Sequence, residues 1–554
     1  MLEVSVASAE QCRAWEARVR AMRTTLGWPD GAIVASVYAS GASLAFAAAQ
    51  DQLFTATEVN EWAWQGAACE CLALPLPNAP GHPATWDFAS AEQTLRKFAA
   101  AEACPAAMTL IEAASSRGLP SFYDEQAFSV GAGEGNRTWL LGEVPDRASV
   151  DWSTLHDIPT ALVTGSNGKT TTVRLVAAMC AASGLSAGFN CTDGIFIAGE
   201  QVEKGDYSGP AGARQVLRDR RVQAAILETA RGGILRRGLA VKYADAAIIT
   251  NISPDHFGEY GMHDLSDLAD AKLVVARAIN ADGVLVLNAD DELLLAKSSR
   301  LDCPLAWFSH DDAHPRLRAH RRRAGATCGV ADGWLWLNLH GATHRLGEVA
   351  AMPLTLGGSA RYNIANIAGA ALLAASLGVA PLAIAAVLAS FGATRLDNPG
   401  RLERWRIHGI NVLLDYAHNP EGLAGLLDVA RSIGQGSGGR MGLLLGQAGN
   451  RDDEAIRDLA RTAAAGKPDF VVLKDLEGYM RGRAVGEVPE ILRAELLRQG
   501  FADANLLTIL PEVEAAQAML VWARPDDVVV LPVHNLAARE QLVSWLATQG
   551  GSAD

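Results

Sequence analysis

The segment Thr164-Gly-Ser-Asn-Gly-Lys-Thr-Thr-Thr172 constrains the fold of this 554-residue chain more than any other feature. It follows an apolar, strand-like run and opens a helical pattern at 169–182. A glycine-rich turn in that place lets backbone N–H groups approach phosphate oxygens, and the helix N-terminus adds partial positive charge. Because Val163 stands where the strict motif has a further glycine, the loop is a GxxGKT variant of the P-loop. The motif predicts that Lys169 reaches the β- and γ-phosphates of a nucleotide and that Thr170 binds Mg²⁺.

Apolar runs alternate with helical patterns from Ile158 onward, which is typical of βαβ units around a mainly parallel sheet. The strand-like runs are Pro159–Thr164, Ala224–Leu227, Ala246–Thr250, Gly283–Leu287, Ile410–Leu414, Met441–Leu445, Phe470–Leu473 and Val528–Leu531. The turn Asp397-Asn-Pro-Gly400 interrupts the alternation, and the first part of the chain is richer in Ala and Trp. We therefore expect an α/β protein of three domains. These are a mixed α/β domain at 1–156, a central P-loop-type parallel-sheet domain at 157–398 and a Rossmann-like domain at 399–554.

Charge and cysteine usage exclude several classes of protein. The chain has 62 acidic against 48 basic residues, which argues against a nucleic-acid partner. Its eight cysteines form no CxxC pair and no zinc-type cluster, so we expect reduced thiols and a cytoplasmic protein. The N-terminal sequence does not have the pattern of a signal peptide. The basic segment at 316–323 is expected to be a solvated loop or hairpin, the alternative being a surface for an acidic or nucleic-acid partner.

An uncharged, alanine-rich run at 367–392 is long enough to span a bilayer. Gly378 and Pro381 interrupt it, which favours two short buried helices with a turn between them. We therefore expect no association with a membrane.

Two further residues fit a metal centre. Glu228 ends an apolar strand-like run, and His256 follows another one. Ligands of open α/β sheets bind at the carboxyl ends of the strands, so these side chains could hold a second Mg²⁺ near the P-loop. Taken singly, the glutamate could be solvated and the histidine structural.

Several segments in order resemble the Mur ligase family, and most closely the branch that contains the C-terminal, Mur-like half of the cyanophycin synthetases. The matching segments are VTGSNGKTTT, NCTDGIFIAG, GDYSGPAGARQVL, LETARGGILRRGL, ITNISPDHFGEYG, LNADD, RYNIANIAGA, DNPGRLE, DYAHNPEGL, GNRDDEAI and YMRGRAVGEVPEIL. The run ATEVNEWAW near the N-terminus resembles the first domain of that branch. The branch has a large ATP-grasp module between these parts, whereas here only a short connection around 131–157 separates them.

The resemblance implies roles for individual residues. The nucleotide and its phosphates would contact Gly165, Asn167, Gly168, Lys169, Thr170, Thr171, Asn363, Asn366, Arg401, Asp415 and His418. The metal ligands would be Thr170, Glu228 and His256, and the substrates would contact Arg231 and Arg451. Lys272 falls where the family often has a carbamylated lysine, although it could also be a surface lysine of an amphipathic helix. Asn363 and Asn366 could instead serve only capping and packing of their helix.

The resemblance also implies an activity. We expect ATP- and Mg²⁺-dependent formation of an amide between an activated carboxylate and an amino acid or other amine, with Lys169, Glu228, His256, Lys272 and Arg401 as the catalytic residues. Without an ATP-grasp module, the chain would perform at most the step that the Mur-like half performs. The carboxylate would belong to a cyanophycin-like or small aspartyl acceptor. The alternatives are a ligase of peptidoglycan precursors and a non-catalytic binding partner, and family members are often homo-oligomers.

Overall fold

The computed structural model describes residues 1–5, 7–38, 41–75, 86–254 and 260–550. Its N-terminal part combines helices with small antiparallel sheets, β1-β3-β2 and β4-β5-β6. The elements are β1 (Leu2–Val4), α1 (Ala9–Leu26), β2 (Ile33–Tyr38), β3 (Gly41–Phe46), α2 (Leu53–Cys71), α3 (Phe88–Glu102), α4 (Pro105–Ser115), β4 (Ser121–Tyr123), β5 (Ala127–Val130) and β6 (Arg137–Leu140). Trp15 and Trp62 are fully buried between the helices of this part. The run ATEVNEWAW therefore lies in α2 and packs largely inward.

The central part is built on one large sheet, with the described strands in the order β10-β9-β8-β11-β7-β12-β13-β14-β15-β16-β17. The strands are β7 (Thr160–Thr164), β8 (Ala187–Cys191), β9 (Gly194–Ile197), β10 (Glu200–Lys204), β11 (Ala224–Glu228), β12 (Ala244–Ile249), β13 (Ile279–Asn288), β14 (Leu305–Ser309), β15 (Thr327–Ala331), β16 (Trp334–Leu339) and β17 (Ala342–Glu348). The helices are α5 (Lys169–Ala182), α6 (Pro210–Arg218), α7 (Arg231–Arg237), α8 (Leu265–Leu273), α9 (Glu292–Lys297), α10 (Pro315–Arg321), α11 (Arg361–Ser376) and α12 (Pro381–Leu388). In the middle of the sheet, neighbouring strands in the order β8-β11-β7-β12-β13-β14-β15 pair in parallel. Antiparallel hairpins extend both edges, β9 and β10 next to β8, and β16 and β17 next to β15.

Buried apolar side chains on both faces explain why the middle strands lie inside the sheet. Along β7, Ala161 and Val163 pack in the core that includes α5 and α11. Leu162, between them, packs in the core on the opposite face. This alternation follows the two-residue period of a strand, and it leaves the carboxyl end of β7 at the edge where α5 begins.

The C-terminal part is a second sheet, with the described strands in the order β18-β19-β23-β20-β21-β22. Its elements are β18 (Glu403–Ile407), β19 (Ile410–Asp415), α13 (Pro420–Ser437), β20 (Met441–Leu445), α14 (Asp453–Gly466), β21 (Phe470–Leu473), α15 (Glu487–Arg498), β22 (Leu506–Thr508), α16 (Glu512–Trp522), β23 (Val528–Pro532) and α17 (Leu536–Thr548). All its pairings are parallel except β18 with β19. The predicted α/β fold class, with a large parallel sheet and a separate C-terminal sheet, is confirmed.

Two expectations about particular segments can be compared with the structure. The uncharged run forms the end of α11 and the whole of α12, separated by a turn, as predicted, although Leu382 of α12 is 83% exposed. In the described ranges, no helix combines the length and apolarity needed to cross a membrane. The prediction that the basic segment at 316–323 is a loop or hairpin is wrong, because most of this segment lies in helix α10. The helix begins at Pro315, and proline is favoured in the first turn of a helix.

Candidate active site

The P-loop joins β7 to α5 in a conformation that requires glycine at two positions. Gly165 has φ +149° and Gly168 has φ +81°, both in the region that L side chains rarely adopt. A Cβ atom on Gly165 would lie 1.8 Å from the Thr250 hydroxyl oxygen, and one on Gly168 would lie 2.1 Å from Asn366 Oδ1. The loop is therefore held tightly between the neighbouring strand end and α11.

Two lysines converge on the P-loop backbone. Lys169 Nζ lies 3.1 Å from the carbonyl oxygens of Gly165 and Ser166 and donates to both. Lys272 Nζ, from α8, donates to the Gly165 carbonyl at 2.8 Å, and the residue is only 3% exposed. Lys272 is therefore not a surface lysine, and its carbamylation stays a prediction.

Glu228 is the buried carboxylate of the site. It ends β11, is 1% exposed, and accepts hydrogen bonds from Thr170 Oγ1 at 2.9 Å and Thr192 Oγ1 at 3.2 Å. Burial raises the pKa of Glu228, while the charge of Lys169 and the Thr170 hydroxyl oppose that rise. A hydroxyl and a carboxylate at this spacing suit Mg²⁺, which takes few protein ligands and completes its shell with water and phosphate oxygens.

The remaining predicted metal ligand, His256, lies outside the described residues, and its role stays a prediction. Within the described ranges, no group of three or more His, Cys, Asp or Glu side chains is arranged to hold a metal. Thr170 and Glu228 would therefore need help from a phosphate, from water or from His256.

Asn167 links the P-loop to the C-terminal part of the chain. Its Nδ2 donates to Glu421 Oε2 at 2.8 Å, and its Oδ1 accepts from Asn419 Nδ2 at 2.9 Å. Asn419 caps α13, where Pro420 begins the helix. The second sheet therefore presents the start of α13 directly to the phosphate-binding loop.

Arg401 approaches the same region from the linker between the sheets. Its guanidinium carbon lies 4.4 Å from the centroid of the Tyr416 ring, a cation–π distance, and its Nη2 lies 3.7 Å from Asp193 Oδ2. Burial raises the pKa of Tyr416 to about 12, with Arg401 opposing, so the phenol stays protonated at neutral pH.

Asp415, at the end of β19, lies beside Arg401. It accepts the backbone N–H groups of Leu402 at 2.6 Å and Ala417 at 2.7 Å. Burial raises the pKa of Asp415, and Arg401 opposes this. The carboxylate therefore fixes the linker to the DYAHNP segment.

A cavity of about 990 Å³ lies between the two sheets. Its lining includes most of the predicted nucleotide-binding residues, namely Asn167, Gly168, Lys169, Thr170, Thr171, Asn363, Asn366, Arg401, Asp415 and His418, together with Glu228. Asn366 Nδ2 donates to Asn363 Oδ1 at 3.1 Å, and Asn363 Nδ2 donates to the Leu354 carbonyl at 3.0 Å. Of the other predicted site residues, Gly165, Lys272, Arg231 and Arg451 are not part of this lining.

The structure adds residues that the sequence analysis missed. Thr192, Tyr416 and His310 line the cavity, and Asp193 contacts Arg401 from behind it. Tyr416 lies between two predicted residues in the DYAHNP segment, which was an available signal. Asp193 lies in the matching segment NCTDGIFIAG, but its contact with Arg401 joins distant parts of the chain and was not predictable from that segment.

A buried polar network supports Tyr416 from the C-terminal sheet. Lys474 Nζ contacts Glu512 Oε1, and Glu512 also accepts the His534 backbone N–H at 2.9 Å. The His534 ring lies edge-on to Tyr416 at 5.3 Å, and its Nε2 is 2.9 Å from the Ala417 carbonyl oxygen. Burial, and then the charge of Lys474, lower the pKa of His534 well below its usual value, so this imidazole is neutral.

The P-loop domain and the second sheet meet across one cavity, whose lining brings the phosphate-binding loop together with Glu228 and Arg401, as in a nucleotide-dependent enzyme. The family model of the Mur ligase middle domain matches residues 163–374, and that of the Mur ligase glutamate ligase domain matches residues 400–532. The chain therefore belongs to the Mur ligase family.

Relatives of known description agree with this assignment. The cyanophycin synthetase of a Nostoc species is 34% identical over 386 residues, which are 70% of this chain and 42% of the relative. The chain thus spans about two fifths of the length of that relative. A UDP-N-acetylmuramoyl-L-alanyl-D-glutamate--2,6-diaminopimelate ligase of Chlorobaculum tepidum is 29% identical over 377 residues, 66% of each chain. A bifunctional folylpolyglutamate synthase/dihydrofolate synthase, crystallised with Mn, AMPPNP and L-glutamate, shares the fold with a TM-score of 0.52 and 18% identity, covering 70% of this chain and 90% of that one.

Proposed function

We propose that this protein uses ATP to activate a carboxylate as an acyl phosphate and then joins it to an amino acid or other amine. The observation that carries the proposal is that Lys169, Glu228 and Arg401 all line one cavity between the two sheets. A P-loop alone would serve many nucleotide-dependent reactions. A cation that the linker adds to the phosphate-binding side, Arg401, suits a reaction in which ATP and a carboxylate substrate meet at the γ-phosphate.

The chemistry follows from charge. The acceptor carboxylate attacks the γ-phosphorus of ATP, the bond to the β-phosphate oxygen breaks, and ADP leaves. The amine nitrogen then attacks the acyl carbon, loses a proton, and expels phosphate as the amide forms. Lys169 and Arg401 balance the negative charge of the phosphoryl group in the first step and that of the tetrahedral intermediate in the second.

Thr170 and Glu228 are the described residues that would hold Mg²⁺. The ion would supply positive charge at the phosphate oxygens. The Thr192 and Thr170 hydroxyls hold the Glu228 carboxylate at both oxygens, so its orientation is set before a ligand arrives. The lining of the cavity by two separate sheets would help to exclude water from the acyl phosphate.

The acceptor that we propose is a cyanophycin-like or small aspartyl peptide with a free side-chain carboxylate. The likeness to cyanophycin synthetases, at 34% identity, supports this choice over a muramyl peptide acceptor. The more distant likeness to the C. tepidum ligase keeps the muramyl peptide as the alternative to test.

The test is an ADP-release assay with Mg²⁺ in which single amino acids are crossed with candidate acceptors, followed by mass spectrometry of the products. The acceptors are short aspartate peptides and a UDP-linked muramyl peptide, and β-aspartyl-arginine dipeptide, whose side-chain carboxylate is already in an amide, is the control acceptor. We expect ADP release only with both an acceptor and an amine, and a product heavier by the amine less one water. Turnover with the muramyl peptide but with none of the aspartyl acceptors would show that the acceptor is a muramyl peptide instead.

Lys169→Ala and Lys297→Ala form a matched pair for this assay. Lys297 is buried, at 7% exposed, but it pairs with Asp270 at 2.7 Å and does not line the cavity. We expect Lys169→Ala to lose turnover by at least about 100-fold and Lys297→Ala to keep it. Binding of nucleotide and peptide by a wild-type protein that never releases ADP would favour a non-catalytic partner.

A further inference from the structure

The turn between β8 and β9 places two polar side chains beside the candidate active site, one in contact with Glu228 and the other in contact with Arg401. It consists of Thr192 and Asp193, and Asp193 is 5% exposed. Strand β8 pairs in parallel with β11, the strand that ends at Glu228. Asn190 reinforces this pairing, because its Nδ2 donates to the Glu228 backbone carbonyl at 3.0 Å. The turn is therefore fixed next to the buried carboxylate.

Thr192 fixes one oxygen of that carboxylate. Its hydroxyl donates to Glu228 Oε1 at 3.2 Å, while Thr170 donates to Oε2 at 2.9 Å. With a donor on each oxygen, the plane of the carboxylate is defined, which a single donor would not achieve. Thr192 thus acts on the metal side of the site.

Asp193 faces the other way, into a group of three arginines. Arg174 Nη2 lies 2.8 Å from its Oδ2, Arg539 Nη2 lies 2.5 Å from its Oδ1, and Arg401 Nη2 lies 3.7 Å from its Oδ2. The side chains of Asp193 and all three arginines are at most 14% exposed. Burial alone would raise the pKa of Asp193, but the three guanidinium groups outweigh it and lower the pKa, so the carboxylate is ionised.

These arginines come from different parts of the chain. Arg174 is in α5 behind the P-loop, Arg401 is in the linker, and Arg539 is in α17 on the C-terminal sheet. Arg174 also donates to Asn398 Oδ1 at 3.3 Å and to the Pro399 carbonyl at 3.2 Å, which holds the linker itself. One carboxylate therefore joins both sheets to the linker at the point where Arg401 enters the cavity.

The distances separate two functions within the group. Arg174 and Arg539 bond Asp193 closely and hold it in place. Arg401, at 3.7 Å, is guided by the carboxylate without a close hydrogen bond, and its guanidinium also lies over the Tyr416 ring. An anion in the cavity can therefore engage Arg401 without breaking a short ion pair.

On this basis, and resting on the proposed ligase function, we propose that Thr192 and Asp193 are positioning residues for the reaction. Thr192 orients Glu228 toward the metal, and Asp193 orients Arg401 toward the transferred phosphoryl group. Because Asp193 is held by both sheets, Arg401 is correctly placed only when the sheets are in contact. A single turn would thus position both the carboxylate on the metal side of the site and the arginine on its phosphoryl side.

The first test is a double-mutant cycle of Asp193→Asn and Arg401→Ala, with kcat and the KM for ATP as readouts. If Asp193 acts through Arg401, Asp193→Asn lowers kcat by roughly 10–100-fold and changes the KM for ATP by less than about threefold. Added to Arg401→Ala, it lowers kcat by no more than about twofold further. Asp193→Glu, which keeps the charge, should recover part of the lost kcat. Unchanged kcat in Asp193→Asn, or effects that multiply in the double variant, would overturn the proposal.

Asp527→Asn is the matched control for a purely structural effect. Asp527 is 3% exposed and pairs with Arg440 at 2.6 Å, away from the cavity lining. We expect Asp527→Asn to lower the thermal midpoint, as Asp193→Asn does, without lowering kcat. An equal loss of kcat in the two variants would show that Asp193 acts only through stability.

Thr192→Val provides a test that does not depend on Asp193 variants folding. It should weaken Mg²⁺ binding to the ATP-bound protein in calorimetric titration by about fivefold or more, raise the Mg²⁺ concentration for half-maximal activity in parallel, and be corrected in both by Thr192→Ser. An unchanged Mg²⁺ requirement would refute the assignment of Thr192. Full activity of Arg401→Ala, or no turnover in the wild type, would instead refute the proposed function, so the two failures are distinguishable.

Discussion

Gly168 offers the sharpest test of how the P-loop geometry supports nucleotide binding, through the substitution Gly168→Ala. The matched variant is Gly184→Ala, just beyond the other end of α5. Both glycines have positive φ, +81° at Gly168 and +89° at Gly184. They differ in their surroundings, because a Cβ atom at Gly184 would meet no heavy atom within 4 Å, whereas one at Gly168 would lie 2.1 Å from Asn366 Oδ1.

The expected magnitudes follow from that difference. An alanine at positive φ costs about 1–2 kcal/mol, of which reduced freedom of the unfolded chain offsets about 0.4–1 kcal/mol. Gly184→Ala should therefore destabilise the protein by about 1 kcal/mol. At Gly168, the Asn366 amide must also move and lose its bond to Asn363, which adds about 1–2 kcal/mol.

The assay combines urea unfolding with calorimetric titration of ATP. We expect Gly168→Ala to lose about 2–3 kcal/mol of stability and to bind ATP at least about tenfold more weakly, since the loop amides and Asn366 both shift. Gly184→Ala should keep wild-type ATP affinity. If the two variants lose equal stability and both bind ATP normally, the close packing of Gly168 against Asn366 does not shape the nucleotide site.

Three other predictions concern the buried charged groups. Glu228→Gln should raise the Mg²⁺ concentration for half-maximal ADP release by at least about tenfold, because the neutral amide is a weaker ligand; an unchanged Mg²⁺ dependence would contradict this role. The pKa of His534 is lowered in the folded protein, so below about pH 6.5 the unfolded chain binds a proton at this residue that the folded chain does not bind. As the pH falls, the stability of the wild type should therefore decrease by up to about 1.4 kcal/mol per pH unit more steeply than that of His534→Gln. Parallel urea-unfolding profiles of the two proteins from pH 7.5 to 5 would refute this. Glu512→Leu should lower the free energy of unfolding in urea by about 3–5 kcal/mol, because it leaves the Lys474 ammonium buried and unpaired. Adding Lys474→Met should recover part of that loss. A double variant that is less stable than Glu512→Leu would show that the two side chains stabilise the fold by more than the pairing of their charges.

The parts of the site that the sequence predicted are those encoded by neighbouring residues. The P-loop was predictable because strand, glycines, lysine and helix follow one another within about ten positions, and their local geometry fixes where Lys169 and Thr170 lie. Glu228 was predictable because an apolar run ending in a carboxylate places that carboxylate at the sheet edge. The assignments of individual roles stay predictions, as do the domain boundaries.

The parts that the sequence did not reveal depend on contacts between distant segments. Asp193 meets arginines at positions 174, 401 and 539, and nothing in the local sequence indicates that these four side chains converge. The Lys474–Glu512–His534 network is similar, because Lys474 follows β21, Glu512 begins α16 and His534 follows β23. Arg231 and Arg451 differ from these residues, because the resemblance predicted that they contact substrates, whereas neither lines the cavity.

The shared use of the Gly165 carbonyl has a consequence for the affinity of the loop. Two ammonium groups donate to this one oxygen, Lys169 at 3.1 Å and Lys272 at 2.8 Å. When Lys169 turns toward an arriving phosphate, it leaves both the Gly165 and the Ser166 carbonyl, and Lys272 still satisfies the first of them. The loop is thereby spared one abandoned buried acceptor, which would cost roughly 1–3 kcal/mol. Because about 1.4 kcal/mol corresponds to a tenfold change in affinity, this second donor makes the release of Lys169 to the nucleotide roughly tenfold or more less costly than it would be without Lys272.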